Sequence, residues 1–265
     1  MDDHVTSGYA RAVRRLAQSL GGLASSFLHL CLPRSCAGCR KVWLSPGQGH
    51  WCGDCFKALP WIQSPRCVKC GRPFLKSAPT ADHYCGDCLL SSLPFDTARS
   101  ATLYTGVVRE RIHQLKFGGQ LHWVPPLVEL LSEAILKEGP LHAETVIPVP
   151  LHVKRLRQRG FNQSGLMAKM LGRSIRLPVH FGALIRKNWT EPQTRLNRED
   201  RLTNVKGAFT VKDRSVVEGR SVLLIDDVLT TGTTVTECAR VLKKAGAAQV
   251  HILTVARALP HWQLV

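Results

Sequence analysis

The chain has 265 residues, 44% of them apolar, enough for one large domain or a medium domain joined to a small one. It holds no run of about 18 apolar residues, which excludes a membrane-spanning helix. Its formal charge of +17 calls for a polyanionic partner. The charge is uneven: from Leu151 to Arg201 twelve Lys/Arg stand against three acids (Glu191, Glu199, Asp200), a surplus of nine. Pyrophosphate and nucleic acid are the two candidates.

Within residues 1–30, Arg11, Arg14 and Arg15 stand at the start of a stretch that continues with Leu16, Leu20, Leu23, Phe27 and Leu30. Gln18, Ser19, Ser25, Ser26 and His29 interrupt the apolar residues, and no small-x-small cleavage site follows, so the stretch does not fit a signal peptide. Its spacing predicts an amphipathic helix packed on the body of the protein.

Residues 31–92 carry four Cys-x-x-Cys pairs: Cys36/Cys39, Cys52/Cys55, Cys67/Cys70 and Cys85/Cys88, separated by 12, 11 and 14 residues. Each pair forms a tight knuckle that aims two sulfurs at one tetrahedral ion, so the array predicts two Zn²⁺ sites. A disulfide scaffold would call for a secretory signal. The spacing favours sequential ribbons (36/39/52/55, then 67/70/85/88) over a cross-braced arrangement. With four cysteines per ion, neither His50 nor His83 is needed. The module has too few apolar residues for a core of its own, so metal supplies most of its folding free energy.

After Leu93-Pro94 the texture changes to alternating strands and helices. Strands are predicted at Ala98–Tyr104, Val146–Val149, Val222–Ile225 and Val250–Val255. Helices are predicted at Val107–Phe117, Leu127–Lys137, Asn162–Leu171 and Thr233–Ala245. This order implies an α/β fold with a doubly wound parallel sheet over residues 93–265. Between Lys187 and Ala208 periodicity is weak and arginines, threonines and asparagines are frequent, the texture of a functional loop. Cys238 lies at helical spacing with Val235, Leu242 and Ala245 and reads as core.

The most telling stretch is Val222-Leu223-Leu224-Ile225-Asp226-Asp227-Val228-Leu229-Thr230-Thr231-Gly232-Thr233-Thr234. A buried parallel strand delivers two adjacent carboxylates to the end where open α/β sheets bind ligands. A small hydroxyl-rich turn then opens a helix, whose N–H groups and dipole favour a phosphate. Asp226 and Asp227 suit sugar hydroxyls or Mg²⁺, and Thr230–Thr234 suit a phosphate. No lysine stands between Asp226 and Lys243, which rules out a Walker-type nucleotide loop here.

This string resembles the phosphoribosyl pyrophosphate (PRPP) motif of type I phosphoribosyltransferases. Three more segments narrow the resemblance: Pro148-Val149-Pro150-Leu151 with Arg155; Arg159-Gly160-Phe161-Asn162-Gln163-Ser164; and Gln193-Thr194 with Arg195, Arg198, Arg201, Asn204-Val205 and Ala208-Phe209. With the cysteine array and Tyr104…Lys116-Phe117, the chain is similar to the ComF family, including the GntX proteins, over residues 31–257. The resemblance implies a double zinc ribbon joined to a type I phosphoribosyltransferase-like domain. It also implies a cytoplasmic role in DNA uptake during natural transformation, or in use of external DNA. By position it places Asp226 and Asp227 at ribose hydroxyls and Thr230, Thr231, Gly232, Thr233 and Thr234 at the 5-phosphate. The Pro150–Arg155 turn would be the pyrophosphate loop, and Lys187–Arg201 the active-site loop. Arg155 and Arg159 would face pyrophosphate, and Asp226 and Asp227 would be the catalytic pair if the protein turns over.

Only about ten residues follow the last predicted strand, too few for a conventional hood over an acceptor, so ligand binding is better supported than transfer. Three readings follow. The first is a DNA-handling protein that binds single-stranded DNA, with Phe161 and Trp189 available for stacking, and a PRPP-like ligand. The second is an active phosphoribosyltransferase with an unidentified acceptor. The third is an adaptor whose ribbons dock a helicase or other uptake protein.

Overall fold

The computed structural model describes residues 34–43, 49–74, 81–139, 142–188 and 205–259. The expected N-terminal amphipathic helix and the loop segment 189–204, with Trp189, Arg195, Arg198 and Arg201, lie outside the described residues. The chain divides into two compact units, Met1–Ala58 and Leu59–Val265.

In the first unit, strands β1 (Arg34–Ser35) and β2 (Val42–Trp43) pair antiparallel around the Cys36–Cys39 knuckle. Helix α1 (Gly53–Lys57) starts at the next knuckle, where the Cys52 sulfur serves as N-cap and accepts the Cys55 N–H. Gly38 is required by space: a Cβ there would lie 2.6 Å from Cys55 Sγ.

The second unit begins with the second ribbon and its short helix α2 (Gly86–Leu90). There follow β3 (Thr97–Leu103), α3 (Gly106–Gly118), a 3₁₀ turn at Leu121–Trp123, α4 (Val124–Glu138), β4 (Thr145–Pro148), α5 (Val153–Arg159), α6 (Gln163–Ile175), β5 (Leu184–Arg186), β6 (Phe209–Val211), β7 (Ser221–Leu229), α7 (Thr233–Lys244) and β8 (Gln249–Arg257). β3, β8, β7 and β4 form, in that order, a four-stranded sheet in which every pairing is parallel.

Both faces of this sheet are covered, which is why its strands read as apolar runs rather than as alternation. Val222, Leu224, Val250 and Ile252 share one apolar cluster with Val235, Ala239 and Leu242 of α7 and with Leu184 and Phe209 of the β5–β6 ribbon. The intervening Leu223, Ile225 and Leu253 are equally buried and point the other way, where α4 packs on β3 and β8, and α6 packs on β4 and β7. Pro125 and Pro126 start α4, where missing N–H groups cost nothing. Gly119 (φ 63°) and Gly160 (φ 82°) end α3 and α5 in the left-handed conformation.

Every strand and helix expected in residues 93–265 is present, with ends shifted by a few residues. Three features depart from the expectation. A short antiparallel ribbon, β5 with β6, joins Leu184–Arg186 to Phe209–Val211, where no strand is predicted. The Pro150–Arg155 turn runs into a helix, α5, whose sequence Val-Lys-Arg-Leu-Arg-Gln-Arg buries too little apolar surface to show a helical stripe. β7 also continues through the acids to Leu229, because β8 keeps pairing with it: Asp226 stands opposite Thr254, Val228 opposite Ala256 and Leu229 opposite Arg257. β4 stops earlier, at Pro148 opposite Ile225. The two carboxylates therefore project past the end of their neighbour on one side.

The second ribbon covers the open edge of β3, which would otherwise expose unpaired backbone groups. Ala98 N–H donates to Lys69 O (2.7 Å), Ile62 N–H to Ala101 O (3.1 Å) and Leu103 N–H to Pro60 O (2.8 Å). Arg99 donates to Val68 O (2.9 Å) and to Glu138 (2.7 Å), and Arg66 also pairs with Glu138. The expected lack of an independent ribbon core has a structural counterpart: Cys67, Cys70, Cys85 and Cys88 belong to the apolar cluster of the sheet, with Phe95 and Ala98.

Candidate functional site

β4 is followed by α6 on one face of the sheet, and the adjacent β7 by α7 on the other. Helices leaving two neighbouring strands on opposite faces mark a topological switch point, where an open α/β sheet forms its ligand crevice at the carboxyl ends of the strands. Asp226 and Asp227 stand on its β7 side, and the segment 150–164 forms its β4 side.

The motif Arg-Gly-Phe-Asn-Gln-Ser has a structural explanation. Gly160 ends α5, and Asn162 caps α6 by accepting the Ser164 N–H (3.1 Å). The Asn162 amide also donates to Val149 O (3.0 Å), tying the helix start to the end of β4. Gln163 accepts from Arg159 Nη1 (2.6 Å). Ser164 Oγ donates to Asp226 Oδ1 (2.8 Å), which also accepts the Asp227 N–H (2.9 Å). One six-residue turn thus fixes an arginine and an acid of the crevice together.

The acids differ in surroundings. Asp227 is buried, and Lys116 Nζ lies 2.8 Å from its Oδ2. This buried oxygen is thus ion-paired but accepts no hydrogen bond among the described residues. Asp226 keeps a partial opening to solvent. Burial, then the charge of Asp227, push its carboxyl up to about 7, against the pull of Lys116 and its two hydrogen bonds. Burial depresses the Arg159 guanidinium, which Asp227 attracts and Arg155 repels. Burial also depresses Arg186, which Arg155 repels and Cys238 and Asp226 attract. Lys116, Arg155, Arg159 and Arg186 thus form a cationic set around two acids.

At the other end of the motif, Thr230 and Thr231 are exposed and Thr233 is buried. Gly232 takes φ 79° as the cap of α7, with no side chain satisfying the helix start. Thr231 and Thr233 hydroxyls lie 2.8 Å apart. Among the described residues no cap side chain bonds the start of this twelve-residue helix, a place that favours an anion.

Lys116 and Ser164 entered the sequence reading only as parts of matching segments, with no role attached, and Arg186 was not singled out. The signal for Ser164 was its place in Arg-Gly-Phe-Asn-Gln-Ser. For Lys116 it was the segment Lys116-Phe117, and for Arg186 there was none, since its position depends on how β5 packs. Cys238 is fully buried, as core.

The eight expected metal-ligating cysteines fall into two groups, Cys36/Cys39/Cys52/Cys55 and Cys67/Cys70/Cys85/Cys88, each with sulfurs within 4.8 Å of one another. The grouping is sequential. Sulfur separations of 3.9 Å for Cys39–Cys52 and 3.7 Å for Cys70–Cys85 match the roughly 3.8 Å edge of a tetrahedron with Zn–S bonds of about 2.3 Å. Knuckle N–H groups aim at the sulfurs: Gly38 and Cys52 at Cys36, Cys70 and Cys85 at Cys67. Burial raises the Cys67 thiol, yet these N–H groups and that of Lys69 pull it down to about 6. Burial pushes Cys70 and Cys88 the other way, so it is the tetrahedral grouping of four sulfurs that suits Zn²⁺.

Residues 27–89 match the double zinc ribbon domain and residues 162–262 the phosphoribosyl transferase domain. The chain is 33% identical to the DNA utilization protein YhgH of Shigella flexneri over 236 residues, spanning 87% of this chain and 100% of that one. The chain belongs to the ComF family. Within it, the Bacillus subtilis competence protein ComFC is 32% identical over 220 residues (82% of this chain, 88% of that one). The Haemophilus influenzae competence protein F is 29% identical over 236 residues (87% and 93%). Among solved structures, the chain is similar to the glutamine PRPP amidotransferase of B. subtilis, with 25% identity and a TM-score of 0.33. That likeness spans 48% of this chain and 25% of that one. Zinc in two Cys₄ sites is thus supported by both family membership and geometry. No helix among the described residues is long and apolar enough to cross a membrane.

Proposed function

We propose that the crevice between β4 and β7 binds a PRPP-like phosphosugar with Mg²⁺, and that the protein handles single-stranded DNA in the cytoplasm during DNA uptake or utilization. The observation that carries the ligand assignment is the run from Asp226 and Asp227, projecting past the end of β4, into the Gly232 turn and the start of α7. Carboxylates there suit ribose hydroxyls and Mg²⁺, and N–H groups with Thr230–Thr234 suit the 5-phosphate. Arg155 and Arg159, on the opposite wall, suit the pyrophosphate. The DNA reading is supported by relatives named for competence and DNA utilization and by the basic surplus of residues 151–201.

Calorimetry of PRPP–Mg²⁺ binding, with and without single-stranded DNA, tests both halves. Binding should weaken at least tenfold when Asp226→Asn and Asp227→Asn are combined. No heat from PRPP–Mg²⁺ at millimolar concentration would overturn the pocket assignment. No binding of DNA at low salt would overturn the other half.

One observation also favours a second reading, an active phosphoribosyltransferase. Arg159 feels the charge of Asp227 and Arg186 that of Asp226, with Arg155 near enough to repel both arginines, an arrangement that suits the charge of a departing pyrophosphate. It predicts PRPP-dependent pyrophosphate release in the presence of an acceptor base or amine, abolished by the same double substitution.

A further inference from the structure

Along α3, Arg109, His113 and Phe117 recur every four residues on one exposed face. Phe117 is 69% exposed. Its ring is not isolated: the His113 imidazole lies 4.5 Å away at 41°, and the Arg159 guanidinium 5.6 Å from its centroid. Single exposed apolar side chains are common and need no explanation. What distinguishes Phe117 is its position. The preceding residue, Lys116, reaches Asp227, and the charge of Asp227 also acts on Arg159, the cation beside the ring. The ring therefore stands at the rim of the phosphosugar crevice.

The adjoining helix α5 supplies the complementary charge. Its seven residues include Lys154, Arg155, Arg157 and Arg159 and no acid, and Lys154 and Arg157 are exposed. A row of cations beside an accessible ring braced by a guanidinium suits a charged strand with unpaired bases. The phosphates meet the cations, and a base lies on the π-face without sequence preference. Duplex DNA keeps its bases stacked on one another and offers no free face.

We propose that Phe117, braced by His113 and Arg159, is a stacking shelf for one unpaired nucleobase of single-stranded DNA, whose backbone follows α5. The proposal rests on the single-stranded DNA reading above. The test is fluorescence anisotropy of the full zinc-loaded chain with an oligothymidylate and with an abasic oligonucleotide of equal length, at low and moderate salt. The thymidylate should bind about 5- to 150-fold more tightly than the abasic strand, the effect of stacking one base. F117A should remove that difference while leaving the abasic affinity unchanged, and F117W should restore it. Combined K154A and R157A should weaken both strands and flatten the salt dependence. All three substituted positions are exposed, and circular dichroism with zinc content checks that the variants fold. Equal binding of the two strands by the wild type, or an F117A variant that binds thymidylate as the wild type does, overturns the shelf and leaves the DNA reading standing. Failure of both strands to bind overturns that reading, and the shelf with it.

Discussion

The Ser164 hydroxyl donates to Asp226 Oδ1 at 2.8 Å, so the start of α6 is latched to the carboxyl end of β7. This bond favours the charged carboxylate, but burial and the neighbouring Asp227 outweigh it and hold Asp226 up to about 7. The consequence for stability has a definite sign. An aspartate in the unfolded chain titrates near 3.9, so between about pH 4 and pH 7 the folded state holds the extra proton. Stability contributed by this position therefore falls as pH rises through that window and is lowest above it.

Replacing Asp226 with Asn should remove that cost. D226N should be more stable than the wild type at pH 8, by about 1–3 kcal/mol once the partial solvent access of the site is allowed for. The advantage should shrink steadily towards pH 5. S164A should move the titration of Asp226 upward, because it deletes a bond to the charged form. Chemical denaturation of the three proteins from pH 5 to pH 8 checks this; a D226N advantage that does not change with pH refutes the raised carboxyl. An advantage that grows with pH makes Asp226 a binding group kept at a cost in stability.

The pair Lys116 and Asp227 predicts a different pattern. Their contact at 2.8 Å joins a lysine side chain 19% exposed to a carboxylate 4% exposed. K116M leaves the buried acid without its countercharge and should cost about 2–4 kcal/mol. D227N alone strands a lysine that can still reach solvent, and should cost less. The double variant should recover much of the K116M loss, giving a coupling energy of at least about 1 kcal/mol. Additive losses in urea unfolding would show that the two groups do not interact.

Much of this site could be read from residue order. The apolar run of β7, the two acids and the Gly232 turn are local, and each obeys a period or a backbone preference that a sequence exposes. The grouping of cysteines followed from spacing, because four knuckles in series are joined most simply in order. What could not be read depends on packing across the sheet. Lys116 meets Asp227 only because β8 and β7 lie between β3 and β4. The acids stay within a strand only because β8 continues beside them. α5 was hidden because its residues are mostly cations on an exposed surface. The burial of the second ribbon's cysteines was hidden because their apolar neighbours, Phe95 and Ala98, come later in the chain.

Gly71 gives a sharp test of that ribbon-to-sheet junction. Its φ is +69°, and a Cβ would lie 2.5 Å from the carbonyl oxygen of Ala98 in β3. Neither problem can be relieved by rotating a side chain, since both involve backbone. G71A should therefore cost about 2–4 kcal/mol, above the roughly 1 kcal/mol of a left-handed alanine alone. Gly86 has open space around its Cβ position, so G86A is the control and should change stability by less than about 1 kcal/mol. Equal melting of the two variants would mean that the junction yields.

The two zinc sites should differ in how they release metal. In the first, only Cys36 is buried, Cys39 is exposed, and Cys52 and Cys55 are intermediate; in the second all four cysteines are buried. The second is also tied to the sheet: Arg257, at the end of β8, donates to Cys70 O at 2.6 Å, and its other Nη lies 3.8 Å from Cys70 Sγ. A chelator can reach the first ion through partly exposed sulfurs, whereas reaching the second requires opening part of the core. Zinc release followed by a chromogenic chelator should show two phases of one ion each. The fast phase should leave the sheet's circular dichroism and thermal transition intact, and the slow phase should track their loss. C39S should delete the fast phase alone, while C70S should lower the melting temperature of the Leu59–Val265 unit. A single phase, or equal melting losses in the two variants, would mean that the second site is no more bound to the core than the first.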